Sequence, residues 1–231
     1  MRHDDLIRAH LEALFTADGS GRLVSVNEPG GGVAPRFFLG RTRDGLVWAV
    51  RRDLEPGLAA DLETLAESVP PGLDPEWVDR VSHSFLTVLA RDAPVQRTWT
   101  GPAFAFPREL PRADGAIAVT PDNAAVLARY LADWLLDAEQ GVPMAALLQG
   151  ADAVSLCCSV RVTDRAHEAG VETHPDFRGR GHAARVVAEW AREVRARNRI
   201  PLYSTSWENH ASLNVARKLE LVHYGSDFHA T

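Results

Sequence analysis

Two cysteines are all this sequence has, and they are neighbours, Cys157 and Cys158. Adjacent strand residues point to opposite faces, so the two make a poor disulfide, and no disulfide framework is expected. The thiolate spacing that holds a metal is absent as well. Lysine is almost missing. Lys218 is the only one among 25 basic residues, which reads as a GC-rich, bacterial coding bias rather than as chemistry. Positive charge is not in excess, since 31 acidic residues leave a net charge of −6. That argues against a general nucleic-acid binder but leaves room for a local basic pocket around an anion. No apolar run approaches the length of a membrane span, and Arg2, Asp4, Asp5, Arg8 and Glu12 stand where a secretory leader would be apolar. A cytoplasmic protein without membrane contact is expected.

What is present is ordinary for a globular chain. Its 231 residues, 45% of them apolar, can bury a substantial core as one large domain or two small ones. Repeats and low-complexity segments are absent. The chain opens with a helical stripe of Leu6, Ile7, His10, Leu11, Leu14 and Phe15. His10 lies on that apolar face and reads as a core histidine rather than a ligand. Strands are expected at 22–26, 35–40 and 46–50. Helices follow at 57–69 and from Asp74-Pro75 to Leu89, then an extended piece from Val95 to Phe106. Pro107, Pro111 and Gly115 mark a boundary, which divides the chain into an N-terminal α/β lobe, 1–110, and a second domain, 111–231.

Beyond the boundary the elements alternate regularly. A strand at 116–120 leads through Thr120-Pro121 into a helix with the stripe Val126, Leu127, Tyr130, Leu131, Trp134 and Leu135. Strands follow at 144–149, 153–163 and 168–173. A helix spans 181–197, a strand 200–204, a helix 209–219 and a last strand 221–228. Chemistry concentrates in Glu168 to Ala183, where a strand runs through a loop of glycine and arginine straight into an amphipathic helix. A helix N-terminus offers unpaired N–H groups and partial positive charge, so this is a candidate anion site. Gly179 and Gly181 allow close backbone approach. Arg178 and Arg180 add charge, in a chain that is acidic overall. The plainer reading is a strand–helix turn that needs glycine only for its geometry. Gly179-x-Gly181-x-x-Ala184 also satisfies a dinucleotide fingerprint, but the following strand ends Leu202 to Ser206 without the acidic residue that a ribose would require.

The same segment resembles another family. Arg178-x-x-Gly181-x-Ala183 is similar to the Gln/Arg-x-x-Gly-x-Gly/Ala loop of the GNAT superfamily of acyl-CoA-dependent N-acyltransferases. Val171-x-Thr173-x-Pro175 resembles the strand and turn before it. Asn209 to Leu221 resembles the family's second motif, N-x-x-S-x-x-x-Y-x-K-x-G-F. The resemblance covers roughly 115–231. It implies an α/β (α+β) fold with a mixed, splayed sheet flanked by helices, to which the N-terminal lobe is added. It implies acetyl-CoA or another acyl-CoA as cosubstrate and no metal; a small-molecule amine is the first choice of acceptor, with amino acid, small amine, aminoglycoside-like compound and protein amine all open. Backbone groups of Val171 and Thr173 would pair with pantetheine. The N–H groups of Arg178, Gly179, Arg180, Gly181, His182 and Ala183 would hold the pyrophosphate. Asn209 and Ser212 would touch the cofactor from the next helix, and Arg217 and Lys218 could meet a phosphate or form a solvated face.

The departures from the motif bear on catalysis. Ala216 stands where the family keeps the tyrosine that protonates the leaving thiolate, and Glu220-Leu221 replaces Gly-Phe. Tyr224 is the first choice as substitute acid, with Tyr203, a bound water or an unassisted thiolate as alternatives. Glu168 is the first choice as general base. Simple alternation turns it away from Val171 and Thr173 unless a bulge intervenes, so His167 and Glu172 are also candidates. His167, His174, His182 and His210 cluster here in sequence but at no metal-binding spacing. The expected activity is N-acetyl transfer by direct attack on the thioester. The alternative is a CoA-binding sensor or interaction module that has lost catalysis. A homodimer is among the expected assemblies.

Overall fold

Proline and glycine punctuate the chain close to where the sequence suggests. The elements between them, in a computed structural model describing residues 1–231, are α1 (His3–Leu14), β1 (Phe15–Ala17), β2 (Leu23–Val26), β3 (Phe37–Thr42), β4 (Leu46–Val50), α2 (Pro56–Ser68), α3 (Trp77–Leu89) and β5 (Thr98–Ala105). The chain continues with β6 (Ala116–Val119), α4 (Leu135–Glu139), β7 (Met144–Gln149), β8 (Asp152–Val162), β9 (Ala166–Thr173), α5 (His182–Ala196), β10 (Ile200–Ser204), α6 (His210–Lys218) and β11 (Val222–Ala230). No helix is long and apolar enough to cross a membrane.

The chain forms two units. One comprises Met1–Ala105, Ser204–His210 and His223–Thr231, the other Phe106–Tyr203 and Ala211–Val222. The discontinuity was not expected. β11 joins the first unit because it pairs antiparallel with β3, from Gly225–Thr42 to Ala230–Phe37. The strands there run β4-β3-β11-β5. Phe37, Leu39 and Phe228 meet Leu58 and Leu62 of α2 and Trp77, Phe85 and Leu89 of α3 on one side. Ile7 of α1 packs so close to Gly40 that a Cβ there would stand 2.4 Å from its Cγ1. His10 is wholly buried, its Nε2 3.7 Å from Asp227. It is the core histidine its apolar stripe suggested.

In the second unit the strands run β10-β9-β8-β7-β6. Neighbours are antiparallel except β9 and β10, which are parallel, so the sheet is mixed. One face is covered by α5, which buries Val186, Val187, Trp190, Ala191 and Val194. The other is covered by residues 121–139, whose Leu127, Leu131 and Ala138 pack on Met144, Ala146, Leu156 and Cys158. Both cysteines are free and buried. Desolvation pushes Cys157 well above the usual thiol range and Cys158 up to about 12. The single helix expected over 121–135 is broken into 3-10 turns at Pro121–Leu127 and Ala132–Trp134, followed by the short α4. The break at Leu131 (φ −138°, ψ 36°) lets Trp134 donate its indole N–H to Glu172 at 2.6 Å. Over so short a stretch, apolar spacing does not separate three residues per turn from 3.6.

Candidate functional site

The site grows from a strand pair that stops early. β9 and β10 pair at Ala166–Ile200, His167–Pro201 and Glu168–Leu202, and there the pairing ends. β9 runs on to Thr173, held on its other side by β8 as far as Thr173–Ser155. From Ala169 onward the β10 side of β9 is therefore a strand edge, able to accept an extended chain of amides as an added strand. Val171 and Thr173 lie on that stretch, two residues apart. The Thr173 carbonyl already accepts from Arg178 Nε at 3.0 Å, which ties the strand end to the loop.

The loop leads from this edge into α5. Pro175–Phe177 form a 3-10 turn. Gly179 and Gly181 then adopt φ of +78° and +79°, the left-handed region that side chains disfavour. Gly181 is the N-cap of α5 and supplies no capping side chain, so the first N–H groups of the helix are left to a ligand or water. A Cβ built on Gly181 would stand 4.0 Å from Lys218 Nζ. The chain's only lysine thus reaches from the last turn of α6 to the start of α5. Arg217 turns back onto Asn214 at 2.8 Å. Arg180 bonds the Asp176 carbonyl at 3.0 Å and lies over the Phe177 ring. These two arginines therefore shape the surroundings, and it is Lys218 that adds charge at the helix start. His182, the first residue of α5, has no hydrogen-bond partner at either ring nitrogen. Its pKa is lowered by burial and by Arg185 and Arg180. Ala183 continues that first turn. Asn209 precedes α6 and donates its N–H to Ser206, while Ser212 lies within the helix.

The acid–base candidates separate by face. A bulge does exist, but the extra residue is Val160 of β8, between the pairs Ser159–Ala169 and Arg161–Glu168. Alternation along β9 is therefore unbroken. His167 faces α5: its Nδ1 is 2.9 Å from Ser159 Oγ, which accepts from the Trp190 indole at 3.0 Å. Burial, with Arg197 and Arg199, lowers its pKa to about 4, so the ring is neutral at pH 7. Glu172 faces the other side, bonded to Trp134. Glu168 shares that side by alternation, directly opposite Arg161 and only 2% exposed. It is also the residue at which β9 and β10 part. Tyr224 is fully buried in β11 of the first unit. No group of three or more His, Cys, Asp or Glu side chains is placed to hold a metal ion.

A parted parallel pair whose open edge runs into an uncapped glycine helix start is the arrangement the two sequence motifs imply. Residues 139–224 match the family model for GNAT acetyltransferase. The match takes in β7 to β10, α5 and α6, the part of the chain where the GNAT motifs were read. Among solved structures, a putative GNAT acetyltransferase from Novosphingobium aromaticivorans is 17% identical with a TM-score of 0.45, covering 59% of this chain and 65% of its own. This chain thus spans just under two thirds of that protein. A GNAT acetyltransferase from Colwellia psychrerythraea is 10% identical with a TM-score of 0.49, covering 99% and 96%. The putative acetyltransferase yncA from Salmonella typhimurium, solved with its cofactor acetyl-CoA, is 13% identical with a TM-score of 0.37, covering 51% and 94%. No curated protein matches.

Some features beside the loop had no sequence signal. Tyr130, His174 and Phe177 form a ring cluster beside the loop, with centroids 4.8 to 5.9 Å apart. Tyr130 was read only as part of an apolar stripe, and nothing in the spacing brings it to His174.

Proposed function

We propose that this chain is an acyl-CoA-dependent N-acyltransferase that passes an acetyl group from acetyl-CoA directly to a small-molecule amine. The observation that carries this reading is the junction of the β9 edge, free of β10 after Glu168, with the start of α5. Pantetheine amides fit the first as an added strand, and a pyrophosphate fits the second. The chemistry supports the reading. The helix start has N–H groups with no side-chain cap, a glycine at positive φ, and an ammonium 4.0 Å from where its Cβ would stand. A general base would take the proton from the amine, and a β9 backbone N–H would stabilise the oxyanion.

Titration calorimetry with acetyl-CoA tests the reading. Wild type should bind, and Gly181→Glu should abolish binding by filling the cradle and repelling phosphate, with circular dichroism confirming that the variant is folded. Equal affinities would remove the loop from the site. A second reading, a CoA-binding module without turnover, is favoured by Ala216 in place of the motif's tyrosine. Thiol release with a panel of amines separates the two, because a sensor binds acetyl-CoA without consuming it.

A further inference from the structure

Hydrogen bonds to β8 fix which backbone groups of β9 face the open edge. His174 N–H bonds the Val154 carbonyl at 3.0 Å, and Ser155 Oγ donates to the Glu172 carbonyl at 3.2 Å. Glu172 and His174 therefore turn their backbone groups towards β8. Alternation turns those of Val171 and Thr173 the other way, to the side that β10 has left. A strand end with a neighbour on one side only is less constrained in its twist, so side-chain contacts from the next layer bear on it directly. On the face away from α5, three successive positions are held. Val160 of β8 rests at Gly170, where a Cβ would stand 2.1 Å from its Cγ1. Glu172 accepts from the Trp134 indole N–H at 2.6 Å. The His174 ring lies against Tyr130, with centroids 4.8 Å apart. Tyr130 and Trp134 flank Leu131, which is 2% exposed and belongs to the apolar core under residues 121–139. Two aromatic residues thus reach the open stretch of β9 from one anchored turn.

We propose that Trp134 is a positioning residue for the cofactor: its bond to Glu172 holds β9 so that the amide and carbonyl groups of Val171 and Thr173 are aligned to receive pantetheine. This rests on the acyltransferase reading above. Glu172 lies between those two residues and shares a peptide plane with each, so a rotation at Glu172 turns both out of line. The bond is of the charge-assisted kind, an N–H on a carboxylate, and its length is short for that class. It also engages the carboxylate of a residue that the sequence offered as a general base. Trp134 touches no reacting atom on this account. It acts through Glu172 on the strand, and its effect falls on the pantetheine arm rather than on the phosphates, which belong to the start of α5.

Calorimetry on the full chain with two ligands tests this. CoA carries the pantetheine arm, and 3′-phospho-ADP carries the same phosphates without it. Trp134→Phe keeps a ring and loses the N–H. It should weaken CoA by about fivefold, one hydrogen bond's worth, and leave 3′-phospho-ADP unchanged. Glu172→Leu should do the same, whereas Glu172→Gln, whose amide oxygen still accepts, should stay within about twofold of wild type. In steady-state thiol release, Trp134→Phe should raise the KM for acetyl-CoA by a similar factor and leave kcat within about twofold. Unchanged CoA affinity in Trp134→Phe, or equal losses for both ligands, overturns the proposal. A Glu172→Gln chain that keeps its KM and loses about 10²-fold in kcat also overturns it and makes Glu172 the general base. If wild type binds neither ligand, the acyltransferase reading fails and the positioning role falls with it. If wild type binds CoA but releases no thiol with any amine, acyl transfer alone fails, and the two-ligand comparison still decides the role of Trp134. Should Trp134→Phe not fold, Glu172→Leu against Glu172→Gln makes the same comparison, and equal CoA affinities in that pair overturn the proposal.

Discussion

Glu220 sits where a side chain is least welcome. Its φ is +52°, and it follows α6 as the left-handed residue of a Schellman turn, with Leu221 N–H bonding Ala216 O and Glu220 N–H bonding Arg217 O. The GNAT motif has glycine there, so the departure read in the sequence leaves the turn intact and adds strain. Glu220→Gly should stabilise the chain by about 1 kcal/mol, the cost of a left-handed non-glycine residue. Urea denaturation reads this, and a destabilised variant would show that the carboxylate has a compensating role. His167 carries a pH signature. Its ring protonates near pH 4 when folded and near 6.5 when unfolded. Between these values the unfolded chain binds the extra proton, so stability is full above about pH 6.5 and falls as the pH drops towards 4. His182 and His223 are shifted the same way. His167→Gln should flatten the fall in Tm between pH 7 and pH 5, and an unchanged slope would assign the effect to the other histidines.

At the scale of elements, the β8 bulge and a glycine belong together. A Cβ on Gly170 would stand 2.1 Å from Val160 Cγ1, so the extra residue of β8 rests where β9 has no side chain. Gly170→Ala should cost about 1–3 kcal/mol by overpacking. Val160→Ala in the same chain should recover most of that, as denaturant midpoints would show; no recovery would mean that Gly170 is needed for backbone reasons instead. α5 has a second task away from the site. Arg195 bonds the carbonyls of Phe106, Pro107 and Arg108, and Arg192 those of Leu110 and Pro111. A proline-rich stretch is short of donors for its own carbonyls, and two guanidinium groups one helical turn apart supply them.

For the whole molecule, the discontinuous first unit governs what can be cut away. In a fragment of residues 111–231, β11 would keep its place in the sequence and lose β3, its partner from Gly225 to Ala230. Phe228, now 1% exposed, would be uncovered on an open strand. The fragment should therefore be insoluble or aggregated, as sedimentation would show. A monodisperse and fully active fragment would establish that the second domain stands alone. The sequence alone placed the boundary near 110 because prolines and glycine are local signals. It had no means of returning β11 to the first unit.

That difference runs through the protein. Local chemistry was legible: Gly179 and Gly181 bend the chain because glycine takes a positive φ without strain, the apolar stripe of α5 became its buried face, and Thr120-Pro121 began a turn. The order of strand, glycine loop and helix suggested a candidate anion site, and the resemblance of Arg178-x-x-Gly181-x-Ala183 and of the segment from Asn209 to the family motifs suggested GNAT. What tertiary structure decided was where distant segments meet. Pairing of β9 with β10 stops at Glu168–Leu202, the extra residue lies in β8 and not in β9, Lys218 comes to Gly181, and the Tyr203 hydroxyl comes to Ser212. None of these follows from spacing along the chain. Each depends on the register between segments far apart in sequence, which is fixed only when their side chains pack.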